Sequence, residues 1–235
     1  MYIDVDKITE RQKLIIAKGL LDYQYIMENW KKNDADFQAV YYDFYLKARW
    51  AVMNKPNNSQ PYFDKLQSIS PDADLMIILE ELQSEMEKGS YELSLGSKLL
   101  HTRNTSSPIY DSKVREYLSK DEGVEFWWHV KGSHAPRGTS EFEKIKHDWL
   151  ELCNWYADFL SSSRGKSWIE WFDANFPAHK NISDVKKIDF IIFVYIPTAI
   201  QCTLSGHQSI VITLEYLYHS LLAMTQATLL DPADN

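Results

Sequence analysis

Two helix-start signals constrain the fold of this chain more than any other feature. Thr9-Glu10-Arg11-Gln12 and Ser140-Glu141-Phe142-Glu143 have the pattern of a capping box, in which the first hydroxyl and the fourth side chain exchange hydrogen bonds with the backbone. Apolar residues at helical spacing follow both boxes: Leu14, Leu21 and Tyr25 after the first, and Ile145, Leu152 and Phe159 after the second. The sequence therefore predicts two long helices, the first ending at about Lys32.

Similar signals predict helices along most of the remaining chain. Asp34 or Asp36 caps a second helix, and Ser70-Pro71-Asp72 opens a third with proline in its first turn. Ser183 caps a later helix that ends near Pro197. Further helices are predicted over about residues 95–103, 111–118, 168–176 and 208–230, with a short connecting segment over 61–69.

Few glycines and prolines interrupt these patterns. The chain has 8 Gly and 8 Pro in 235 residues, which disfavours a turn-rich β fold. We therefore expect an all-α protein in which residues 1–235 form one helical domain or a bundle of two helical lobes.

The overall charge and the cysteines exclude several classes of function. A formal net charge of −8 argues against a broad nucleic-acid-binding surface but leaves room for a local basic patch. Cys153 and Cys202 are far apart and lack metal-ligand spacing, and the 7 histidines form no H-E-x-x-H motif, so we expect no metal and no cofactor. Without a signal-peptide pattern or a membrane-length apolar run, a soluble, cytoplasmic protein with no membrane contact is expected.

One segment combines residues that could carry chemistry. Leu93-Ser94-Leu95-Gly96-Ser97-Lys98-Leu99-Leu100 places a glycine and a lysine at the start of an apolar helix, and Pro108-Ile109-Tyr110-Asp111-Ser112-Lys113-Val114-Arg115 places an aspartate at the start of the next. Taken singly, Gly96 is a turn glycine, Lys98 a solvated lysine and Asp111 an ordinary N-cap.

Taken together, these residues resemble the core element of the helix–hairpin–helix DNA glycosylases, the superfamily that includes the oxoguanine glycosylases. That element reads roughly L-P-G-V-G-x-K-T-A and is followed by a helix that opens V-D-T-H-V-x-R. Here Gly96 matches the second glycine, Lys98 the lysine and Asp111 the aspartate, whereas Ser94 replaces the first glycine and Lys113 the histidine. The resemblance covers about residues 72–118, with the helix over 72–88 as the first of the hairpin.

The resemblance implies a mechanism and a set of site residues. Lys98 would attack the sugar C1′ and form a Schiff base, and Asp111 would stabilise the cationic sugar. The implied DNA contacts are Gly96, Ser97, Arg103, Lys113, Arg115, Lys131 and Arg137. An extruded base would stack on the aromatic residues Phe126, Trp127 and Trp128.

Two functions follow as expectations. The first is a DNA repair enzyme, a glycosylase with hydrolase and AP lyase activity on a damaged or modified base. The second is a non-enzymatic helical protein that uses the same scaffold to bind DNA or another protein. The acidic charge favours the second function, and the Lys98/Asp111 pair favours the first.

Overall fold

A computed structural model of the chain describes residues 3–46, 53, 58–86, 92–128, 135–136 and 138–196. These residues form an all-α structure with nine α-helices and no strand. The helices are α1 (Glu10–Asn29), α2 (Ala35–Tyr41), α3 (Ser59–Ser68), α4 (Leu75–Glu85), α5 (Leu93–Arg103), α6 (Ser112–Asp121), α7 (Glu141–Ser161), α8 (Ser163–Asn175) and α9 (Asp184–Tyr195). Two 3-10 turns (Val5–Lys7 and Pro177–His179) and a π-helical turn (Tyr42–Leu46) accompany them.

The predicted helix starts are largely confirmed. Both capping boxes form, at Thr9 before α1 and at Ser140 before α7, and Asp34 and Ser183 cap α2 and α9. The helix expected to carry Pro71 in its first turn begins later, because the Asp74 carboxylate accepts a hydrogen bond from the Met76 amide at 2.7 Å and so caps α4.

Other helix bounds differ from the prediction. Residues 61–69, expected as a connection, belong mostly to α3, because Pro61 lies in the first turn of that helix, where its missing N–H removes no hydrogen bond. Helix α1 ends at Asn29, three residues before the predicted end, and α8 begins at Ser163 rather than near Trp168. The helix predicted over 208–230 lies outside the described residues.

Helices α5 and α9 are buried along most of their length. Every residue of α5 from Leu93 to Thr102 is buried, and α5 packs against α3 and α4. In α9 every residue from Val185 to Ile192 is buried, and the helix packs against α1, α6, α7 and α8. Polar side chains on these two helices therefore need partners within the protein.

The described helices up to Ile196 belong to one compact unit. Within the described ranges, none of the helices is long and apolar enough to cross a membrane. The two lobes, and the identity of α4 and α5 as a helix–hairpin–helix element, stay predictions.

Candidate active site

A cavity of about 250 Å³ lies among α1, the π-helical turn, α5, α6 and α9. Its walls are mainly apolar, with side chains such as Ile15, Ile109, Val114 and Phe190. Described residues that line it include four lysines and four aspartates: Lys18, Lys98, Lys113, Lys186, Asp22, Asp43, Asp111 and Asp189. We call this site the lysine cavity. The formal charges of the described lysines and aspartates at this wall are equal in number.

Lys98 reaches the lysine cavity from α5. It is only 4% exposed, and its Nζ atom donates a hydrogen bond to the Ser94 hydroxyl at 2.8 Å, one turn earlier on the same helix. The alternative interpretation of Lys98 as a solvated surface lysine is therefore wrong. A buried amine at a cavity wall is a candidate nucleophile.

Asp111 lines the same cavity from the start of α6. As predicted, it is the N-cap of that helix, and its carboxylate accepts a hydrogen bond from the Lys113 amide at 2.8 Å. The cap fixes the backbone and one carboxylate oxygen, which holds the side chain in one orientation. The structure thus brings Lys98 and Asp111 to a common cavity.

Hydrogen bonds from Tyr110 fix the segment that leads into Asp111. The Tyr110 amide donates to the Ser97 hydroxyl of α5 at 3.0 Å, and the Tyr110 hydroxyl donates to the Asp148 carboxylate of α7 at 3.0 Å. Both bonds are buried. The position of Asp111 relative to Lys98 is therefore determined by two helices that are distant in sequence.

Lys186 on α9 is a second buried lysine of the cavity that the sequence analysis missed. Its side chain is 7% exposed, and Nζ lies 5.0–5.3 Å from the ring centroids of Tyr23, Phe44, Tyr45 and Phe190. Burial lowers its pKa below the usual lysine value, although the charges of nearby aspartates partly offset this effect. A lowered pKa gives Lys186 a larger fraction of neutral, nucleophilic amine than a solvated lysine has at the same pH.

Asp189 lies one turn after Lys186 and completes a buried pair. Its Oδ2 atom is 3.8 Å from Lys186 Nζ and has no hydrogen-bond partner in the described structure, whereas Oδ1 accepts a hydrogen bond from the Tyr156 hydroxyl. Burial raises the pKa of Asp189 to about 6. A carboxyl group with a pKa near neutrality can both accept and donate a proton under physiological conditions.

A local signal for Lys186 and Asp189 does exist in the sequence. They stand in the run Val185-Lys186-Lys187-Ile188-Asp189-Phe190-Ile191-Ile192, which has apolar residues on every helix face. A helix without a polar face is buried on all sides, and its charged residues are then buried with it.

The π-helical turn Tyr42–Leu46 contributes Asp43, Phe44 and Tyr45 to the cavity wall. The Tyr45 hydroxyl is buried and has no hydrogen-bond partner in the part of the chain that the structure describes. Single π-helical turns often occur at functional sites, because the wider turn redirects the side chains. This turn is an independent sign that the cavity is a site.

The structure corrects the roles expected for Gly96 and Ser97. Helix α5 begins at Leu93, so Gly96 lies inside the helix, where its amide donates to the Glu92 carbonyl at 3.0 Å. Ser97 is fully buried and hydrogen-bonded to Ser94 and Tyr110. Since the packing shields both residues, neither is placed to contact a DNA phosphate.

Gly96→Ala tests this placement. An added Cβ atom would lie 2.6 Å from Leu79 Cδ2 and 3.1 Å from Leu75 Cδ1 on α4. We expect the overpacked contact to lower the free energy of unfolding by about 1–3 kcal/mol, measured by denaturant titration. Ser119→Ala, at an exposed site of α6, is the control and should leave stability nearly unchanged. Wild-type stability in Gly96→Ala would contradict the close contact with α4.

Of the other expected DNA contacts, three are described. The Arg103 guanidinium stacks 3.7 Å from the Trp30 ring centroid, and its Nε donates to the Ile69 carbonyl. Lys113 donates to the Phe193 carbonyl at 2.9 Å, and Arg115 lies 6.0 Å from the Tyr110 ring. These partly buried side chains are held by contacts within the protein. Lys131 and Arg137 lie outside the described residues.

The aromatic residues expected to form a base pocket do not line the lysine cavity. Phe126 and Trp128 are buried core residues, and Trp127 stacks on His147 with 3.5 Å between ring centroids. The Asp148 carboxylate accepts hydrogen bonds from the Trp127 and Trp128 amides at 2.7 and 3.1 Å. The predicted base-stacking role is thus corrected, because packing and hydrogen bonds hold this segment in the core.

Comparisons with known proteins add no family assignment. No protein-family model, curated protein or solved structure matches this chain. Among the described residues, no group of His, Cys, Asp or Glu side chains is arranged to hold a metal ion.

Proposed function

We propose that this chain is a DNA glycosylase-like protein of the helix–hairpin–helix type, which removes a damaged or modified base and forms a Schiff base through Lys98. The observation that carries the proposal is the position of Lys98 and Asp111 on one cavity, each held by a hydrogen bond. This arrangement supports the half of the resemblance that concerns the lysine and the aspartate.

The chemistry requires an amine and a carboxylate close to one carbon atom. The Lys98 amine bonds to C1′ as the base departs with the glycosidic electron pair and takes a proton from the nitrogen. The second nitrogen proton passes to the ring oxygen as the C1′–O4′ bond breaks, which leaves an imine. Asp111 stabilises the cationic sugar and accepts and returns the protons.

The size of the cavity suits one base-sized group. Its volume of about 250 Å³ lies just below the roughly 300 Å³ at which pockets for drug-sized ligands begin. A single extruded nucleotide is thus a better candidate ligand than a longer oligonucleotide. Besides Lys98 and Lys186, the described basic residues at the cavity wall are Lys18 and Lys113.

The second proposal is a non-enzymatic helical protein that binds DNA or another protein. The net charge of −8 and the burial of Gly96 and Ser97 favour it, because both weaken the case for contact with DNA phosphate. Exposed apolar side chains near the cavity, Ile15 and Phe193, would suit a protein partner. In this case no covalent adduct would form.

Borohydride trapping separates the two proposals. The wild-type protein is incubated with duplexes that carry an abasic site or an oxidised base, and borohydride then reduces any imine to a stable adduct. We expect an adduct with the wild type and none above background with Lys98→Met, because the substitution removes the amine that forms the imine.

The control is Lys187→Met. Lys187 is equally buried, but its Nζ lies 2.9 and 3.0 Å from the carboxylates of Asp173 and Asp184. Lys187 is absent from the described cavity lining, so its variant should trap DNA at the wild-type rate. If wild-type protein yields no adduct, the enzymatic proposal fails; if Lys98→Met still traps DNA, Lys98 loses its role.

A further inference from the structure

We propose that Lys186 is a second reactive amine of the lysine cavity, which binds small, neutral carbonyl compounds as an imine with Asp189 as the proton carrier. The inference concerns the same cavity as the proposed function but requires neither DNA nor the reaction of Lys98.

Lys186 and Asp189 lie close together but do not form the direct hydrogen bond that is typical of a structural ion pair. Its Nζ atom is 3.8 Å from Asp189 Oδ2, which is too far for a hydrogen bond, and that buried oxygen has no other hydrogen-bond partner among the described residues. An unsatisfied buried carboxylate oxygen is costly, so its retention beside an amine suggests that a ligand group completes the site.

The neighbouring Lys187 shows what a purely structural lysine looks like in the same helix. Its Nζ is within 3.0 Å of two carboxylates, Asp173 and Asp184. Burial acts to lower the pKa of both lysines, but the contacts with Asp173 and Asp184 outweigh it at Lys187, whose pKa is raised, whereas the pKa of Lys186 is lowered. Two adjacent buried lysines therefore differ in the property that determines reactivity, the fraction of neutral amine near pH 7.

The surroundings of Lys186 define the class of ligand. Aromatic rings of Tyr23, Phe44, Tyr45 and Phe190 surround the amine, and they restrict water and present apolar faces. Among the described residues that line the cavity, lysines and aspartates are equal in number, so a neutral ligand needs no counter-charge from them. A single-ring aldehyde or a small apolar aldehyde is neutral and can pack against these aromatic rings.

The reaction needs no oxidant or reductant. The neutral Nζ bonds to the carbonyl carbon while the C=O π electrons move to oxygen, and Asp189 transfers one nitrogen proton to that oxygen. The carbinolamine oxygen lies two bonds from Nζ, which allows it to reach Oδ2 across the 3.8 Å gap. The C–O bond then breaks, the oxygen leaves as water with the second nitrogen proton, and C=N remains.

The charged and titratable groups around Lys186 set the pH dependence. The charges of Asp189, Asp111 and His101 act on Lys186, and the rings of Tyr23 and Tyr45 lie 5.3 Å from its Nζ atom. The other described lysines and aspartates of the lysine cavity line the same space, and Tyr156 contacts Asp189. Burial lowers the pKa of Lys186 and the carboxylates of Asp189 and Asp111 raise it. Removing the charge of Asp189 should therefore lower this pKa further and shift amine reactivity to lower pH.

The test uses the wild-type protein without DNA. Benzaldehyde and cyanoborohydride are added across a range of pH, and the benzylated lysines are located by peptide mass spectrometry. At pH 7 we expect Lys186 to be labelled faster than Lys187, since its lowered pKa leaves a larger neutral fraction than the raised pKa of Lys187. Lys186→Met should lose the label, and Asp189→Asn should show its labelling midpoint at lower pH.

The outcomes separate this inference from the proposed function. Labelling of Lys186 without any DNA adduct would support the inference and leave the glycosylase proposal without support. Labelling of Lys98 in place of Lys186, or of Lys186 no faster than Lys187, would overturn the inference. Because the rates are measured on wild-type protein, the result does not depend on the folding of the variants.

Discussion

Asp111→Asn is expected to be as stable as the wild-type protein and to form the trapped DNA adduct about 100-fold more slowly. The asparagine Oδ1 atom can accept the Lys113 amide as the carboxylate does, and Asn and Asp are equally good N-cap residues. The substitution therefore retains the cap of α6 and removes only the negative charge at the cavity.

Two further variants isolate the effect of that charge. Asp111→Ala removes both the cap and the charge, so it should lose about 1 kcal/mol of stability in addition to activity. Asp74→Asn makes the same change at the N-cap of α4, where the carboxylate accepts the Met76 amide and does not line the cavity. It should retain wild-type stability and trapping. A stable Asp111→Asn protein with an unchanged trapping rate would show that Asp111 is only a cap.

Local signals explain which parts of the fold could be predicted. The capping boxes at Thr9 and Ser140 depend on residues three positions apart, so they can be read directly from the sequence. Asp111 was predicted as an N-cap for the same reason. The start of α4 was predicted less well, because Pro71 and Asp74 both offer helix-start signals and the capping hydrogen bond of Asp74 prevails.

The burial of the charged residues could not be predicted in this way. Lys98 and His101 are tolerated inside α5 because Ser94, Tyr23 and the Ser107 carbonyl provide hydrogen-bond partners. Two of these partners lie outside the helix, one of them 78 positions away. A motif match located Lys98, but tertiary contacts decide which lysines and aspartates share a cavity.

For the aromatic run 126–128, the sequence predicted a binding surface where the structure has a mostly buried segment. Its aromatic residues suggested a surface for stacking bases, yet the Asp148 carboxylate binds two of its amides and draws it into the core. Nothing near 126–128 in the sequence indicates this partner, which lies 20 and 21 positions away. Aromatic residues suit a core and a binding surface equally, so the deciding contact is tertiary.

Asp148→Ala is expected to lower the free energy of unfolding by on the order of 4 kcal/mol, because buried donors lose their acceptor. The carboxylate is fully buried and accepts hydrogen bonds from the Trp127 and Trp128 amides and from the Tyr110 hydroxyl. Each donor left unsatisfied costs about 1–3 kcal/mol. In a chain of this size the melting temperature should fall by about 10 °C.

Asp158→Ala is the matched control, because Asp158 is an exposed aspartate on the same helix, α7. Its stability should stay within about 0.5 kcal/mol of the wild type. The stability of Asp148→Asn should lie between those of Asp148→Ala and Asp158→Ala. Its single amide oxygen can accept hydrogen bonds from some of the donors, while its NH₂ group faces the remaining donors. Thermal and denaturant unfolding, followed by circular dichroism, measure all three. Equal stability of Asp148→Ala and Asp158→Ala would contradict the buried network.

A further variant shows whether Asp148 also determines the position of Asp111 at the lysine cavity. The Tyr110 hydroxyl joins Asp148 to the residue that precedes Asp111, so loss of the carboxylate releases that segment from α7. Tyr110→Phe removes this bond, together with the contact of the hydroxyl with Arg115, and leaves the amides of 127 and 128 satisfied, which should cost about 1 kcal/mol. If its trapping rate falls while the fold is retained, α7 positions Asp111 across the core; if the rate is unchanged, the cap and the Ser97 bond suffice.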